Sequence, residues 1–160
     1  MKQRLAMVIV SLFVFLSGHY AFAEELDIVA FSKQYVGVPY KWGGKTPKGF
    51  DCSGFVTYVY QEFGVSLPRT AEEQYRRGKK VSKEELAVGD LVFFTTYKKT
   101  ASHTGIYIGD DKFIHASDKG VIISDLDESY WRKTYLGARR YFDSDEEVAA
   151  LQSYNRLGWH

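Results

Sequence analysis

The sequence predicts an α+β domain in which helices from the first half of the chain pack on one face of an antiparallel β-sheet from the second half. Before residue 90, apolar residues recur mainly at helical spacing. From Asp90 onward, short β-rich runs are separated by Gly, Asp and Lys turns, which is the pattern of an antiparallel sheet. Helices followed by strands are typical of an α+β fold, here with a central sheet of about five to six strands.

Residues 1–23 are typical of a secretory signal peptide. A short basic start is followed by an apolar run over residues 5–16, and Ala21 and Ala23 are small residues at the two positions that a signal peptidase reads. We therefore expect cleavage after Ala23 and an exported protein, located in the periplasm, in the cell wall or outside the cell. The alternative is a single transmembrane anchor, but the apolar run is shorter than the ~20 residues of a spanning helix. We expect no stable membrane anchor after cleavage.

The remaining chain has the length of one domain, which we assign to residues 24–142. Residues 143–160 are expected to form a short C-terminal tail with a possible helix at 146–154. The formal net charge of the whole chain is +1 at pH 7. A chain so close to neutral has no general basic surface for nucleic acid, so we expect no nucleic-acid partner.

The helical half is predicted from spacing and from capping residues. Asp51 is a natural N-cap for a helix that Gly64 ends, and Thr70 with Glu73 forms a capping box for the next helix. The loop at 40–49 is too rich in Gly and Pro for regular structure. The predicted helices cover residues 26–36, 52–63 and 70–77, with one further turn at 82–85.

The strands are predicted from β-rich runs between turn residues. A helical turn at 128–135 is expected between the last two strands. The predicted strands cover residues 91–94, 103–108, 112–116, 121–124 and 137–142.

Cys52 is the only cysteine of the chain and is predicted to lie in the first turn of the second helix. The partial positive charge of a helix N-terminus favours a thiolate over a thiol. In an oxidising compartment a single cysteine forms no internal disulfide, so it is spare, intermolecular or functional. The alternative to a nucleophile is a small, buried apolar residue.

His103 and His115 lie on consecutive predicted strands. If that hairpin pairs symmetrically about Gly109, the two residues stand directly across from each other and share a face of the sheet. For either histidine alone, a polar or partly buried residue with no catalytic part is the alternative.

Together, Cys52, His103 and His115 have the residue types of a cysteine-based catalytic triad. A nucleophilic thiol needs a base, and the base needs a third polar group that orients it. We expect a thiolate–imidazolium pair that forms before substrate arrives, with His103 later protonating the leaving amine. The same three side chains are also conceivable as zinc ligands. Because neither further cysteines nor a His-Glu-x-x-His helix is present, we expect no metal and no cofactor.

Several motifs, in order along the chain, resemble those of the NlpC-type cell-wall cysteine peptidases. Among them are Asp51-Cys52-Ser53-Gly54, Ser102-His103-Thr104-Gly105 and His115-Ala116-Ser117, and the full set lies at residues 40–44, 50–56, 67–70, 74, 89–94, 102–109 and 115–117. The resemblance spans about residues 27–142. It implies a reduced papain-like fold, a helix with the nucleophile against a sheet with the base. It also implies Cys52 as nucleophile, His103 as base and His115 as the orienting member.

The resemblance further implies a substrate and a pocket. The substrate is the stem peptide of peptidoglycan, cut between D-glutamate, linked through its γ-carboxyl, and a diamino acid such as meso-diaminopimelate. Asp51 can pair with a free amino end, and Arg69 can pair with a carboxylate or orient Asp51. Tyr40 and the backbone amide of Cys52 can stabilise the oxyanion. The residues implied to line the acceptor pocket are Tyr40, Asp51, Ser53, Arg69 and Ser102.

Thr104 departs from the family pattern, in which a β-branched aliphatic residue is common, because it adds a hydroxyl. No cell-wall-binding repeat is recognised beside the catalytic unit, so we expect the active cleft, the tail or a partner protein to provide wall targeting. Two alternatives have the same fold: an amidase or acyltransferase with another substrate, and a non-catalytic binder of wall peptides.

Overall fold

The computed structural model describes residues 28–142. The expected signal peptide at 1–23 and the expected tail at 143–160 lie outside the described residues, so these boundaries stay predictions. Between residues 28 and 142, no helix has both the length and the apolar character that crossing a membrane requires.

The described chain has the predicted α+β architecture, with helices preceding most of the strands. A 3₁₀ turn at Lys83–Glu85 follows the third strand, and it corresponds to the further turn expected at 82–85. The elements are α1 (Ile28–Lys33), β1 (Lys45–Thr46), β2 (Gly49–Phe50), α2 (Cys52–Glu62), α3 (Ala71–Arg77), β3 (Lys79–Val81), β4 (Leu91–Phe94), β5 (His103–Gly109), β6 (Lys112–Ser117), β7 (Gly120–Asp125), α4 (Ser129–Thr134) and β8 (Tyr135–Arg140).

The central sheet is antiparallel and has six strands in the order β3-β8-β4-β5-β6-β7. Five of them were predicted from sequence, although β8 begins and ends two residues earlier than expected. The sixth, β3, was missed because a run of three residues with two lysines has little β character. It is formed by its pairing with β8, a contact distant in sequence.

The expectation that residues 40–49 lack regular structure was wrong. Residues Lys45 and Thr46 pair with Phe50 and Gly49 in a small hairpin. The first helix is also shorter than expected. Beyond Lys33 the backbone amides of residues 34–36 bond to carbonyl groups three residues earlier, which tightens the chain into turns.

Helix α2 is the centre of the larger apolar cluster. Asp51 caps it, accepting a 2.7 Å hydrogen bond from the amide of Gly54. Gly64, with φ of 74°, takes the chain away from the helix. The buried apolar side chains of α2 contact one face of the sheet, and each contributes about 1.5–3 kcal/mol by burial. These side chains are Phe55, Val56, Val59 and Tyr60, and their partners on the sheet include Leu91, Phe93, Ile106 and Ile114.

The opposite face of the sheet has a second, smaller cluster under α4. Trp131 of α4 contacts Phe94 and Phe113, at ring-centroid distances of 4.8 and 5.0 Å. Because side chains alternate along a strand, β5 directs Ile106 toward α2 and Tyr107 toward this second cluster. His103 has the same orientation as Tyr107 and lies beside Trp131.

The β5–β6 hairpin does not pair symmetrically about Gly109, so the condition under which His103 and His115 would be directly opposed is not met. Its turn is formed by Asp110 and Asp111, both with positive φ (50° and 54°), which is typical of a two-residue hairpin turn. Ile106 therefore pairs with Ile114, after an irregularity in register near the turn. This shifts the pairing by two residues, so His103 and His115 are diagonal rather than directly opposed. Because side chains alternate with a period of two, a shift of two residues leaves both histidines on the same face of the sheet.

The buried hydroxyl of Thr104 leads to a stability prediction. Thr104 is fully buried, and its Oγ1 atom has no hydrogen-bond partner in the described structure. Thr104→Val should therefore raise the free energy of unfolding by about 1 kcal/mol, since an unpaired buried polar group costs about 1–3 kcal/mol. Urea unfolding monitored by circular dichroism measures the change.

Thr57→Val is the matched control for this prediction. The Thr57 hydroxyl donates to the carbonyl of Ser53 (2.7 Å) and accepts from Gln74 (3.2 Å), so its loss should lower the free energy of unfolding. A Thr104→Val protein less stable than the unchanged one would contradict the prediction.

Candidate active site

Cys52 is the first residue of α2 and lies against the beginning of β5. Its Sγ atom is 4.0 Å from the carbonyl oxygen of Ser102, and the backbone amide of Thr104 donates toward the sulfur. β5 pairs with β6 only from Ile106 onward. The backbone of residues 103–105 therefore has no partner on β6, and the N-terminus of α2 can lie against it. The sulfur thus contacts the backbone on both sides of His103.

The two histidines are directly hydrogen-bonded. His103 Nε2 lies 2.8 Å from His115 Nδ1, and both side chains are buried. Gly105 makes this diagonal contact possible. A Cβ atom at Gly105 would lie 3.0 Å from Cβ of His115 and 2.7 Å from the ring of Phe113. With Nε2 bonded to His115, Nδ1 is the nitrogen of His103 that remains for a thiol.

Two residues that the sequence interpretation missed complete the histidine environment. Trp131 stacks on His103, with ring centroids 5.4 Å apart and planes 25° apart, and it is nearly perpendicular to the ring of His115, with centroids 4.9 Å apart. Ser124 Oγ lies 3.0 Å from His115 Nε2. The alternation of side chains along β7 could have indicated Ser124. Because His115 pairs with Ile122, residue 124 is the diagonal neighbour of His115 on the same face of the sheet.

Burial dominates the electrostatics of these groups. It lowers the pKa of His103 to about 4, and together with the neighbouring His103 it lowers the pKa of His115 to about 2. Burial, and secondarily the charge of Asp51, raises the pKa of Cys52 to about 11, although backbone amides act in the opposite direction. The free site therefore favours a neutral thiol beside a neutral imidazole. The thiolate–imidazolium pair expected from the sequence stays a prediction, which thiol alkylation tests below.

Asp51, Ser53 and Arg69 form one polar cluster beside Cys52. The Arg69 guanidinium donates to both carboxylate oxygens of Asp51, at 3.1 and 2.5 Å, and to Ser53 Oγ at 2.9 Å. Of the two roles considered for Arg69, this geometry is the one in which it orients Asp51. The Arg69 side chain is 38% exposed and that of Asp51 13%, so the cluster is accessible to a ligand.

Tyr40 is half-buried in the loop that precedes α2. Burial, followed by the charges of Cys52 and Asp51, raises the pKa of its hydroxyl to about 12, so the hydroxyl keeps its proton and can donate it. The loop is fixed close to α2 because Gly44 accepts a hydrogen bond from the Asp51 amide (3.0 Å) and its carbonyl leaves no room for a Cβ atom at Gly54.

Ser102 has a different environment from the one implied for it. Its hydroxyl accepts hydrogen bonds from the backbone amides of Thr96 (2.8 Å) and Tyr97 (3.3 Å). The side chain thus organises the loop after β4, and only the backbone carbonyl of Ser102 approaches Cys52.

A groove with a volume of about 400 Å³ continues from Arg69 along the outer face of α2. Its lining residues are Lys45, Thr46, Gly54, Thr57, Tyr58, Gln61, Leu67 and Arg69. Nowhere in residues 28–142 do three or more His, Cys, Asp or Glu side chains cluster in a way that suits a metal ion.

Comparison with known proteins identifies the family. A sequence profile of the NlpC/P60 family matches residues 37–140. The chain belongs to the NlpC/P60 family. This confirms the resemblance inferred from the motifs, and the α+β fold class is confirmed by a solved NlpC/P60 family protein from Bacillus cereus. That structure is 39% identical with a TM-score of 0.69, over 73% of this chain and 40% of the other.

Two curated NlpC/P60 relatives are similar in sequence. The murein DD-endopeptidase MepS/murein LD-carboxypeptidase of Escherichia coli K12 is 53% identical over 106 residues, which are 65% of this chain and 56% of the relative. The gamma-DL-glutamyl hydrolase of Bacillus subtilis is 47% identical over 121 residues, 73% of this chain and 29% of the relative. The chain thus spans between about a third and about half of their lengths.

The raised pKa of Cys52 leads to a prediction for the free protein. Only a thiolate reacts with iodoacetamide, so alkylation at neutral pH should be slow and its rate should still rise above pH 9.0, the ordinary pKa of the thiol. The rate is measured by mass spectrometry of the intact protein as a function of pH.

His103→Ala is the control for the alkylation experiment. If the resting pair is neutral, removal of the imidazole leaves the pH dependence of alkylation unchanged. A rate that reaches its plateau near neutral pH, and loses that plateau in His103→Ala, would show a preformed thiolate–imidazolium pair instead.

Proposed function

We propose that this protein is an exported cysteine endopeptidase that hydrolyses amide bonds in peptidoglycan stem peptides, with Cys52, His103 and His115 as its triad. The observation that carries the proposal is the hydrogen-bonded pair of His103 and His115, at 2.8 Å, beside the backbone that contacts the Cys52 sulfur. The names of the two relatives, which refer to murein and to γ-glutamyl bonds, support the substrate class.

In the proposed mechanism, proton transfer accompanies nucleophilic attack. Burial favours a neutral thiol and a neutral imidazole at rest, and the thiol proton moves to Nδ1 of His103 as the sulfur attacks the scissile carbonyl. The amide of Cys52 and the hydroxyl of Tyr40 stabilise the oxyanion. His103 then returns the proton to the leaving amine, and water hydrolyses the resulting thioester.

Asp51 is proposed to recognise a free amino group of the substrate. Arg69 holds both oxygens of its carboxylate, and the side chain immediately precedes the nucleophile in sequence. A substrate amino group bound at Asp51 would lie close to the scissile carbonyl. This arrangement suits a short stem peptide with a free N-terminus. The resemblance to the NlpC-type peptidases implies that the cleaved bond is the one between D-γ-glutamate and the diamino acid.

Export and targeting complete the proposal. Residues 1–23 have the composition of a signal peptide, and peptidoglycan lies outside the cytoplasmic membrane. The groove beside α2 has the side chains of Lys45, Gln61 and Arg69 among its lining for further contacts to the wall, and a protein partner for wall targeting remains part of the proposal.

The triad is tested by substitution. Cys52→Ala should reduce turnover of purified stem peptides about a thousandfold or more, because no other thiol is present. His103→Ala should lower kcat by about 10²–10⁴-fold, as loss of a general base does, and His115→Ala should lower it less. Turnover is followed by chromatography, and mass analysis of the fragments identifies the bond.

Peptide binding by the Cys52→Ala protein is the control, and it should persist because the substitution removes one sulfur atom and little packing. Unchanged turnover in Cys52→Ala would refute the enzyme mechanism. Binding without any turnover by the unchanged protein would favour the non-catalytic alternative.

The role of Asp51 is tested with Asp51→Asn, which keeps an oxygen that can cap α2 but removes the charge. A hydrogen bond to a charged group contributes about 1.5–3 kcal/mol, so KM for a peptide with a free amino end should rise about ten- to a hundredfold. The same peptide with an acetylated amino end is the control. Equal changes in KM for the two peptides would contradict amino-end recognition.

A further inference from the structure

Ser124 lies beyond the proposed triad, on the edge strand β7. The residue is 8% exposed, and its hydroxyl oxygen is 3.0 Å from Nε2 of His115. Within residues 28–142 it is the one hydrogen-bond partner of that nitrogen. We propose that Ser124 is a positioning residue that holds His115, and through it His103, in the tautomer that the reaction needs. This inference rests on the proposed function of Cys52 and His103.

Hydrogen positions along the chain of polar groups are linked. If His103 Nδ1 is to accept the proton of the thiol, the ring hydrogen must be on Nε2, which then donates to Nδ1 of His115. His115 consequently carries its own hydrogen on Nε2 and donates it to Ser124. In the reverse arrangement Ser124 donates to His115, and His103 directs an N–H toward the sulfur. A ring in that state accepts no proton there.

The reaction makes the first arrangement obligatory. Once His103 has taken the thiol proton, both of its nitrogens are donors, so His115 Nδ1 has to accept and His115 Nε2 has to donate. The hydroxyl of Ser124 is then the acceptor for a buried N–H that would otherwise be unpaired. The hydrogen bond to Ser124 therefore stabilises the site more when His103 is charged than at rest. An interaction that strengthens during the reaction affects kcat rather than substrate binding.

The packing around His115 leaves no other acceptor in the described structure. His115 has no exposed surface. Phe113 stacks on its ring with centroids 4.6 Å apart, and Trp131 packs nearly perpendicular to it with centroids 4.9 Å apart. These apolar neighbours also fix the plane of the ring, so Nε2 cannot turn toward a different partner without displacing them.

Ser124→Thr and Ser124→Val form the decisive pair of variants. Threonine and valine have the same shape and both suit a strand, but only threonine keeps the hydroxyl. We expect kcat near that of the unchanged protein for Ser124→Thr, and about tenfold lower for Ser124→Val, the size of one net hydrogen bond, with KM unchanged in both. Ser117→Ala, which removes a hydroxyl bonded to the turn of the same hairpin, is a control expected to retain kcat.

Imidazole ¹⁵N NMR of the full chain gives a readout that is independent of turnover. His115 should carry its hydrogen on Nε2 in the unchanged protein and in Ser124→Thr, and should change to a mixture of tautomers in Ser124→Val. An Nδ1-protonated His115 in the unchanged protein, or equal kcat values for the Thr and Val variants, would overturn the inference. If Cys52→Ala retained turnover, the proposed function would fail, whereas the tautomers would still report on Ser124.

Discussion

The arrangement of the site depends on the contact between the first turn of α2 and the beginning of β5. Because β6 pairs with β5 only from Ile106 onward, the Thr104 amide is free to donate toward the Cys52 sulfur. The same short stretch carries His103 toward the other face of the sheet, where Trp131 packs on it. Cys52 and His103 thus lie on opposite sides of β5, in the stretch where β5 is not paired with β6.

A competition between burial and the helix terminus decides the protonation state of the nucleophile. The net rise in the pKa of Cys52 from 9.0 to about 11 corresponds to roughly 3 kcal/mol against the thiolate. A helix N-terminus typically contributes about 0.3–1 kcal/mol in its favour. The helix position therefore moderates the cost of ionisation without removing it, and the base is needed at the moment of attack.

Sequence reasoning succeeded where structure depends on local chemistry. The cap at Asp51 and the capping box at Thr70 define the starts of α2 and α3 through contacts within three residues. It failed where a distant partner decides. Strand β3 exists because β8 pairs with it, and Trp131 and Ser124 become part of the site only through sheet packing. The turn was placed at the right residues, but symmetry about Gly109 was the wrong assumption for the pairing, because the positive φ values of Asp110 and Asp111 centre the turn on these two residues.

Asp51 links recognition to activation in the proposed function. Its charge is the second largest cause of the raised pKa of Cys52, after burial, although the carboxylate is paired with Arg69. A substrate ammonium bound at Asp51 would add a positive charge close to the sulfur, which lowers the pKa of the thiol. The substrate would thereby offset the charge of the Asp51 carboxylate, which reduces the cost of forming the thiolate, while burial remains the larger cause of that cost.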